Sequence, residues 1–385
     1  MLLPLDRTDA ACSWCVVAGD LTPVQRLPLL ALGFVAFVVG TGAGLARLGV
    51  GVPDAAVAAS ALHGPLMICG FLGTVIGIER AVAVKLRIAF VAPLASGLAG
   101  VCLLLGQAAA GAWLAVLAAV AFTAVTALVV HRQRAAHTVL LLVAAAAWLV
   151  GNLLFATGIG RAAPLPWWFA FLVMTVAAER LEMTRLLRRS AEAGGLLFAV
   201  LALMLVGAAW FATSPAAGGL LFGLSLTLLA AWLGVFDIAR RTVRAHGLSR
   251  YMAVSLLGGY VWLAVAGVAW MGMAFGLPWR DAALHALGLG FIVSMMMGHA
   301  PVILPAVARV KLSFSGFFYV PLLLLHVSLI VRLGFGGVDA SDASARALGA
   351  ALNAVAILVF IATLAGAALA WRLHHGAARA SKSSA

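Results

Sequence analysis

The chain has 385 residues, of which 65% are hydrophobic and 10% charged, with a mean hydropathy of +1.14. No water-soluble domain can hide that share of apolar surface, so the composition predicts an integral membrane protein. The net charge of +13 would suit a nucleic-acid partner, but the way the charges are placed along the chain assigns them to membrane topology and leaves no nucleic-acid reading.

Residues 1–27 read as a cytoplasmic N-terminal tail. Asp6, Arg7, Asp9 and Asp20 interrupt it, and it lacks the apolar core of a cleavable signal. It carries "CSWC", with Cys12 and Cys15. Such a pair can bind metal or cycle its redox state, but no second pair or nearby histidine completes a site.

Residues 28–372 then read as a single all-α transmembrane domain. Twelve apolar spans are predicted at 28–48, 60–79, 88–106, 111–130, 137–158, 166–185, 194–213, 217–236, 252–275, 282–306, 315–334 and 348–371. Each is about long enough to cross a hydrocarbon core of ~30 Å. Their apolar runs are continuous rather than alternating, which favours helices over a barrel. Residues 373–385, "LHHGAARASKSSA", read as a short, frayed cytoplasmic C-terminal tail. "TVIGIER" (74–80) closes the second span and "TVAAER" (175–180) the sixth. With the tenth span four further on, this echo suggests three pseudo-repeated four-helix units. Glu-Arg at a helix end is also ordinary dipole compensation.

Of the 25 Lys and Arg, all but Arg47, Arg161, Arg280, Arg332 and Arg346 fall in segments on one side of this span pattern. That bias predicts both termini inside, in the manner of a bacterial inner-membrane protein. Glu79, Glu179 and Glu182 fall at the inner edge, where pairing with Arg80, Arg180 or Arg185 is expected.

Nine histidines occur. His131, His137, His246, His374 and His375 lie in or beside loops and the tail, and read as solvated or interfacial. His63, His285, His299 and His326 lie inside spans, where an ionisable side chain is a functional candidate. The second and tenth spans run in the same direction, and His63 and His285 each stand about one turn below the outer surface. If those helices face each other, two imidazoles meet at one depth, as the axial ligands of a haem iron do. His285 and His299 are separated by about 21 Å of rise and, on an ideal helix, about 40° of azimuth. One metal ion cannot bridge them, so His299 belongs to a deeper site, with His326 as a candidate partner. Gly70 and Gly77 fall within about 20° and 40° of the His63 direction on an ideal helix, leaving a smooth face for a flat macrocycle; helix–helix packing is the alternative use of such glycines. Arg47 and Arg280 would face haem carboxylates. Trp167, Trp168 and Trp279 read as interfacial anchors. Met295, Met296 and Met297 admit a Cu(I) site, although such a run more commonly packs a core.

The span pattern, together with "LHGPLMICGF" and "LHALGLGF", resembles the haem-copper oxidase catalytic-subunit superfamily, and within it the NnrS-type haem proteins of the nitric-oxide response. The likeness of specific phrases covers about forty residues. It implies that His63 and His285 ligate a low-spin haem b, and that His299 and His326 serve a second haem or metal. Copper ligands on the sixth and seventh helices are absent, since neither span contains a histidine. Oxygen reduction of the oxidase kind is therefore not expected.

The expected function is that of a membrane-embedded b-type haem protein that transfers electrons, or binds or turns over a diatomic gas such as nitric oxide or oxygen. Membrane lipid, a gaseous ligand and a redox partner are its implied partners. A multi-pass transporter or channel for a copper ion or small solute is the alternative, since twelve spans suit that class.

Overall fold

The computed structural model describes residues 19–160, 162–183, 191–337 and 341–383. Cys12, Cys15, Arg161 and Arg185 lie outside the described residues. Twelve long helices make up the fold, with no β-strand among the described residues. They are α1 (Pro23–Ala46), α2 (Ser60–Val84), α3 (Arg87–Leu104), α4 (Ala108–Arg132), α5 (Ala136–Thr157), α6 (Pro164–Met183), α7 (Ala191–Phe211), α8 (Pro215–Phe236), α9 (Gly247–Ala274), α10 (Arg280–Ala308), α11 (Gly316–Phe335) and α12 (Ala343–Ser383).

Eleven of these are long and apolar enough to cross a membrane. The chain is therefore a polytopic helical membrane protein. The exception is α6, which carries Pro164, Pro166, Trp167, Trp168, Glu179 and Arg180. It tolerates them because protein surrounds it: from Trp168 to Ala178 every residue is buried. A helix enclosed by other helices need not match lipid.

Helix ends follow local chemistry. Thr22 caps α1 in a reciprocal box with Gln25, and Pro23 occupies the first helical position. This starts α1 five residues ahead of the predicted boundary and absorbs Pro28. Arg26, 1% exposed, donates to the carbonyls of Leu21 and Val307 and pairs with Asp20 at 2.5 Å, tying the start of α1 to the end of α10. At the other terminus α12 continues to Ser383, so the predicted frayed tail is helical through most of its length.

Consecutive helices pack against each other, and α12 returns to α1. Helix α10 stands inside this arrangement, touching α1, α2, α6, α9 and α11. Three helices change pitch. A π-helical stretch, closed by i→i+5 bonds, interrupts α2 at Leu66–Leu72, α10 at Ala286–Val293 and α11 at Val331–Phe335. In α2 and α10 the stretch turns the helix beyond it by roughly one residue's rotation, about 100°, relative to an uninterrupted helix, whereas in α11 it forms the last turn.

Candidate functional site

The two π-helical stretches of α2 and α10 each begin just after a histidine. His63 precedes Leu66–Leu72 and His285 immediately precedes Ala286–Val293. The structure brings these two side chains together, with ring centroids 6.1 Å apart and planes inclined by 26°.

Each ring is held through Nδ1. In His63 that nitrogen lies 2.7 Å from the Gly40 carbonyl of α1. A carbonyl accepts only, so Nδ1 carries the proton and Nε2 keeps a bare lone pair. The ring seats against Gly44, where an added Cβ would come within 2.9 Å of Nδ1. In His285, Nδ1 lies 3.0 Å from the Asp281 carbonyl, one helical turn back, and 2.9 Å from Asp281 Oδ1. The same logic protonates Nδ1 and makes Nε2 the acceptor.

Arg332, on α11, completes the His285 surroundings. Its Nε and Nη2 donate to Asp281 Oδ2 and Oδ1 at 2.9 and 2.8 Å, a bidentate fork. Its Nη2 is also 3.2 Å from both ring nitrogens of His285. Those two nitrogens are only ~2.2 Å apart. An in-plane position equidistant from them would collide with Cε1, so the guanidinium stands over the ring face. Nε2 of His285 therefore has a guanidinium N–H within hydrogen-bond distance.

A cavity of about 580 Å³ adjoins the pair, within the size range of cofactor sites. Met67, Ile68, Phe71 and Leu72 line it from α2, Trp168, Phe169 and Leu172 from α6, and Gly288, Leu289, Ile292 and Val293 from α10. Its polar lining includes Arg47, Arg280, Arg332 and Arg346, against a single carboxylate, Asp281. An apolar chamber edged by guanidinium groups suits a large apolar molecule that carries carboxylates.

A family model matches residues 26–369, and its description is a domain of unknown function, DUF8744. The chain belongs to the DUF8744 family. No curated protein and no solved structure matches it.

In this DUF8744 chain the other candidates separate from the pair. Gly70 does not face the cavity; a Cβ there would meet Ala36 at 2.8 Å, and one at Gly77 would meet Pro93 at 3.1 Å. Both glycines serve helix packing, because Leu66–Leu72 turns them away from the ideal-helix azimuth of His63. Gly288, which a Cβ would leave open except for Phe169 at 3.9 Å, lies on the cavity wall instead.

His299 has Nδ1 2.7 Å from the Met295 carbonyl and Nε2 3.2 Å from Arg180 of α6. His326 accepts a hydrogen bond from Trp262 Nε1 at 2.9 Å, and its ring lies against Gly258. These two histidines have different partners. No group of three His, Cys, Asp or Glu able to hold a metal occurs among the described residues. Met295 and Met297 are buried, with Met295 packed towards Gly259.

Two further expectations change, those for Trp168 and His137. Trp168 is 3% exposed and donates to Asn152 Oδ1 at 2.8 Å, so it is a wall residue and not an interfacial anchor. Arg180 reaches His299, while Glu182 stands 4.0 Å from His137. His137 is itself buried. Asp281 and Arg332 were not singled out by sequence reasoning. Two signals pointed to them: Asp281 lies four residues before His285, and Arg332 is one of five outer cations.

Proposed function

We propose that this DUF8744 protein is a membrane-embedded b-type haem protein, with His63 and His285 as the two axial ligands of one iron. The carrying observation is the 6.1 Å between their ring centroids. A metal held by both rings would need about 2 Å to each nitrogen and about 1.1 Å more to each centroid, and the observed separation leaves room for that. Packed rings also keep such separations, so the spacing carries the reading together with the shared depth of the two rings, their engaged Nδ1 atoms and the cavity beside them.

The surroundings support the same reading. Both Nδ1 atoms are engaged by acceptors, the arrangement that orients metal-ligating imidazoles. The cavity offers apolar walls for a macrocycle and guanidinium groups for its carboxylates. The likeness of two short phrases to NnrS-type proteins agrees with it. The reading is limited to one haem, since His63 and His285 are the one pair of histidine rings brought together among the described residues.

When bound, such a group supplies one-electron exchange and affinity for diatomic gases such as nitric oxide or oxygen. The protein's part is to orient two neutral imidazoles, to exclude water with Phe71, Phe169 and Ile292, and to neutralise carboxylates with Arg47, Arg280 and Arg346. The charge bias along the chain puts this site towards the outer face of the membrane, in keeping with a bacterial inner membrane.

The test is the visible spectrum of detergent-purified protein from haem-replete cells, oxidised and then dithionite-reduced. A Soret band that sharpens on reduction, and whose low-spin character is lost in His63→Ala and in His285→Ala, is expected. A colourless, iron-free protein overturns the reading.

A further inference from the structure

The two histidines are alike in sequence context but not in their supports. We propose that the Asp281–Arg332 pair makes His285 the anchoring ligand and leaves His63 the exchangeable one, so that a diatomic gas binds on the His63 side. This rests on the haem reading above and deepens it.

Three observations carry the asymmetry. The first is the acceptor at Nδ1. His63 donates to a neutral carbonyl, Gly40. His285 has, besides a carbonyl, a carboxylate oxygen at 2.9 Å. A carboxylate draws the Nδ1 proton more strongly, which makes Nε2 more basic and a better donor to a metal.

The second is rigidity of aim. The bidentate fork from Arg332 fixes the plane and direction of the Asp281 carboxylate. Arg332 is in turn delivered by the π-helical stretch Val331–Phe335 and by Gly349 of α12. A Cβ at Gly349 would lie about 2.5 Å from the backbone of Arg332, so only glycine lets α11 and α12 come this close. His63 is held by the Gly40 carbonyl and the Gly44 backbone, with no charged side chain hydrogen-bonded to its ring among the described residues.

The third is the backbone. His285 ends a regular helical segment, Arg280–His285. His63 stands between a 3₁₀ turn, Ser60–Leu62, and the π stretch beginning at Leu66. The chain changes pitch on both sides of it within a few residues, so fewer regular backbone bonds oppose its withdrawal.

Asp281 and Arg332 are thus positioning residues that act through His285. The exchange they favour is a simple substitution: the bond to His63 Nε2 breaks, a bond to the gas forms, and no electron or proton is transferred.

The experiment compares wild type, His63→Ala, His285→Ala, and the double variants His63→Ala/Asp281→Asn and His63→Ala/Arg332→Gln, all purified in detergent. Haem per chain, the ferrous spectrum with and without carbon monoxide, and the iron–histidine stretching frequency are read. His63→Ala is expected to keep its haem, become five-coordinate and bind carbon monoxide. His285→Ala is expected to lose it. Asp281→Asn in the His63→Ala background should lower the stretching frequency and weaken haem retention by about 10–100-fold; Arg332→Gln should act in the same direction. Equal retention in the two single variants, retention only in His285→Ala, or an unchanged stretching frequency in Asp281→Asn overturns the proposal. Should His285→Ala fail to fold, the frequency in the double variants still decides. A wild type without haem refutes the haem reading itself, and a haem-bearing wild type with symmetric ligand loss refutes only this inference.

Discussion

Asn152 is the residue whose loss tests the wall of the site most sharply. It is fully buried on α5, and its side chain joins four helices. Oδ1 accepts from Trp168 Nε1 of α6 at 2.8 Å and from the Cys69 thiol of α2 at 3.3 Å, while Nδ2 donates to the Ala115 carbonyl of α4 at 2.8 Å. Asn152→Ala removes all three. The Trp168 N–H then has no other recorded partner and stays in an apolar interior, at a cost of about 1–3 kcal/mol. The Ala115 carbonyl remains in the α4 ladder and the thiol is a weak donor, so each of those adds only a few tenths, and interhelical bonds in membranes average ~0.6 kcal/mol. The total is about 2–3 kcal/mol, roughly a 30- to 150-fold shift in the unfolding equilibrium. Reversible unfolding in mixed detergent–SDS micelles, followed by tryptophan fluorescence and circular dichroism, measures it. Trp168→Phe removes the orphaned donor, so Asn152→Ala/Trp168→Phe should be less unstable than the sum of the single changes by about 0.5–2 kcal/mol. Strict additivity, or a neutral Asn152→Ala, would refute the hub.

Two glycines of the first two helices should separate packing from ligation. Gly44→Ala pushes on the His63 ring and should disturb the low-spin spectrum, whereas Gly70→Ala meets Ala36 and should lower stability by about 1–3 kcal/mol with the spectrum unchanged. The reverse pattern would restore Gly70 to the cofactor face. His299→Ala should leave iron content and the haem spectrum at wild-type values, because its ring lies outside the cavity that His63 and His285 line; loss of iron would reinstate a second centre. Gly349→Ala should displace Arg332 and reproduce the Arg332→Gln shift in the iron–histidine frequency, and an unaltered frequency would show that the close approach of α11 and α12 is not what delivers the guanidinium.

The helical membrane fold was legible because hydropathy is a bulk property that neighbours do not alter. The equal depth of His63 and His285 was legible, because rise per residue gives it whichever way a helix is turned; that their two helices face each other entered only as a condition, which the contact between the rings meets. Azimuth was not legible. The face assigned to Gly70 and Gly77 assumed 100° per residue, but Gly70 lies within the π-helical stretch and Gly77 beyond it, where the accumulated offset reaches about 100°. The same error put His285 and His299 on one face, across Ala286–Val293. Nothing in "LMICGFL" or "ALGLGFIV" announces an i→i+5 turn. Trp168 passed for an interfacial anchor because an indole at a helix start is ambiguous until its partner, Asn152, is known. Arg332 entered only as a unit of outer charge, since its fork to Asp281 spans 51 residues of sequence.

The central claim is that His63 and His285 ligate one iron together, and near-infrared magnetic circular dichroism of the purified ferric protein tests it most directly. The account predicts a single low-spin bis-imidazole charge-transfer band at one iron per chain, abolished in both His63→Ala and His285→Ala. A high-spin or histidine–methionine band, a bis-imidazole band that survives either substitution, or a protein without iron would contradict it.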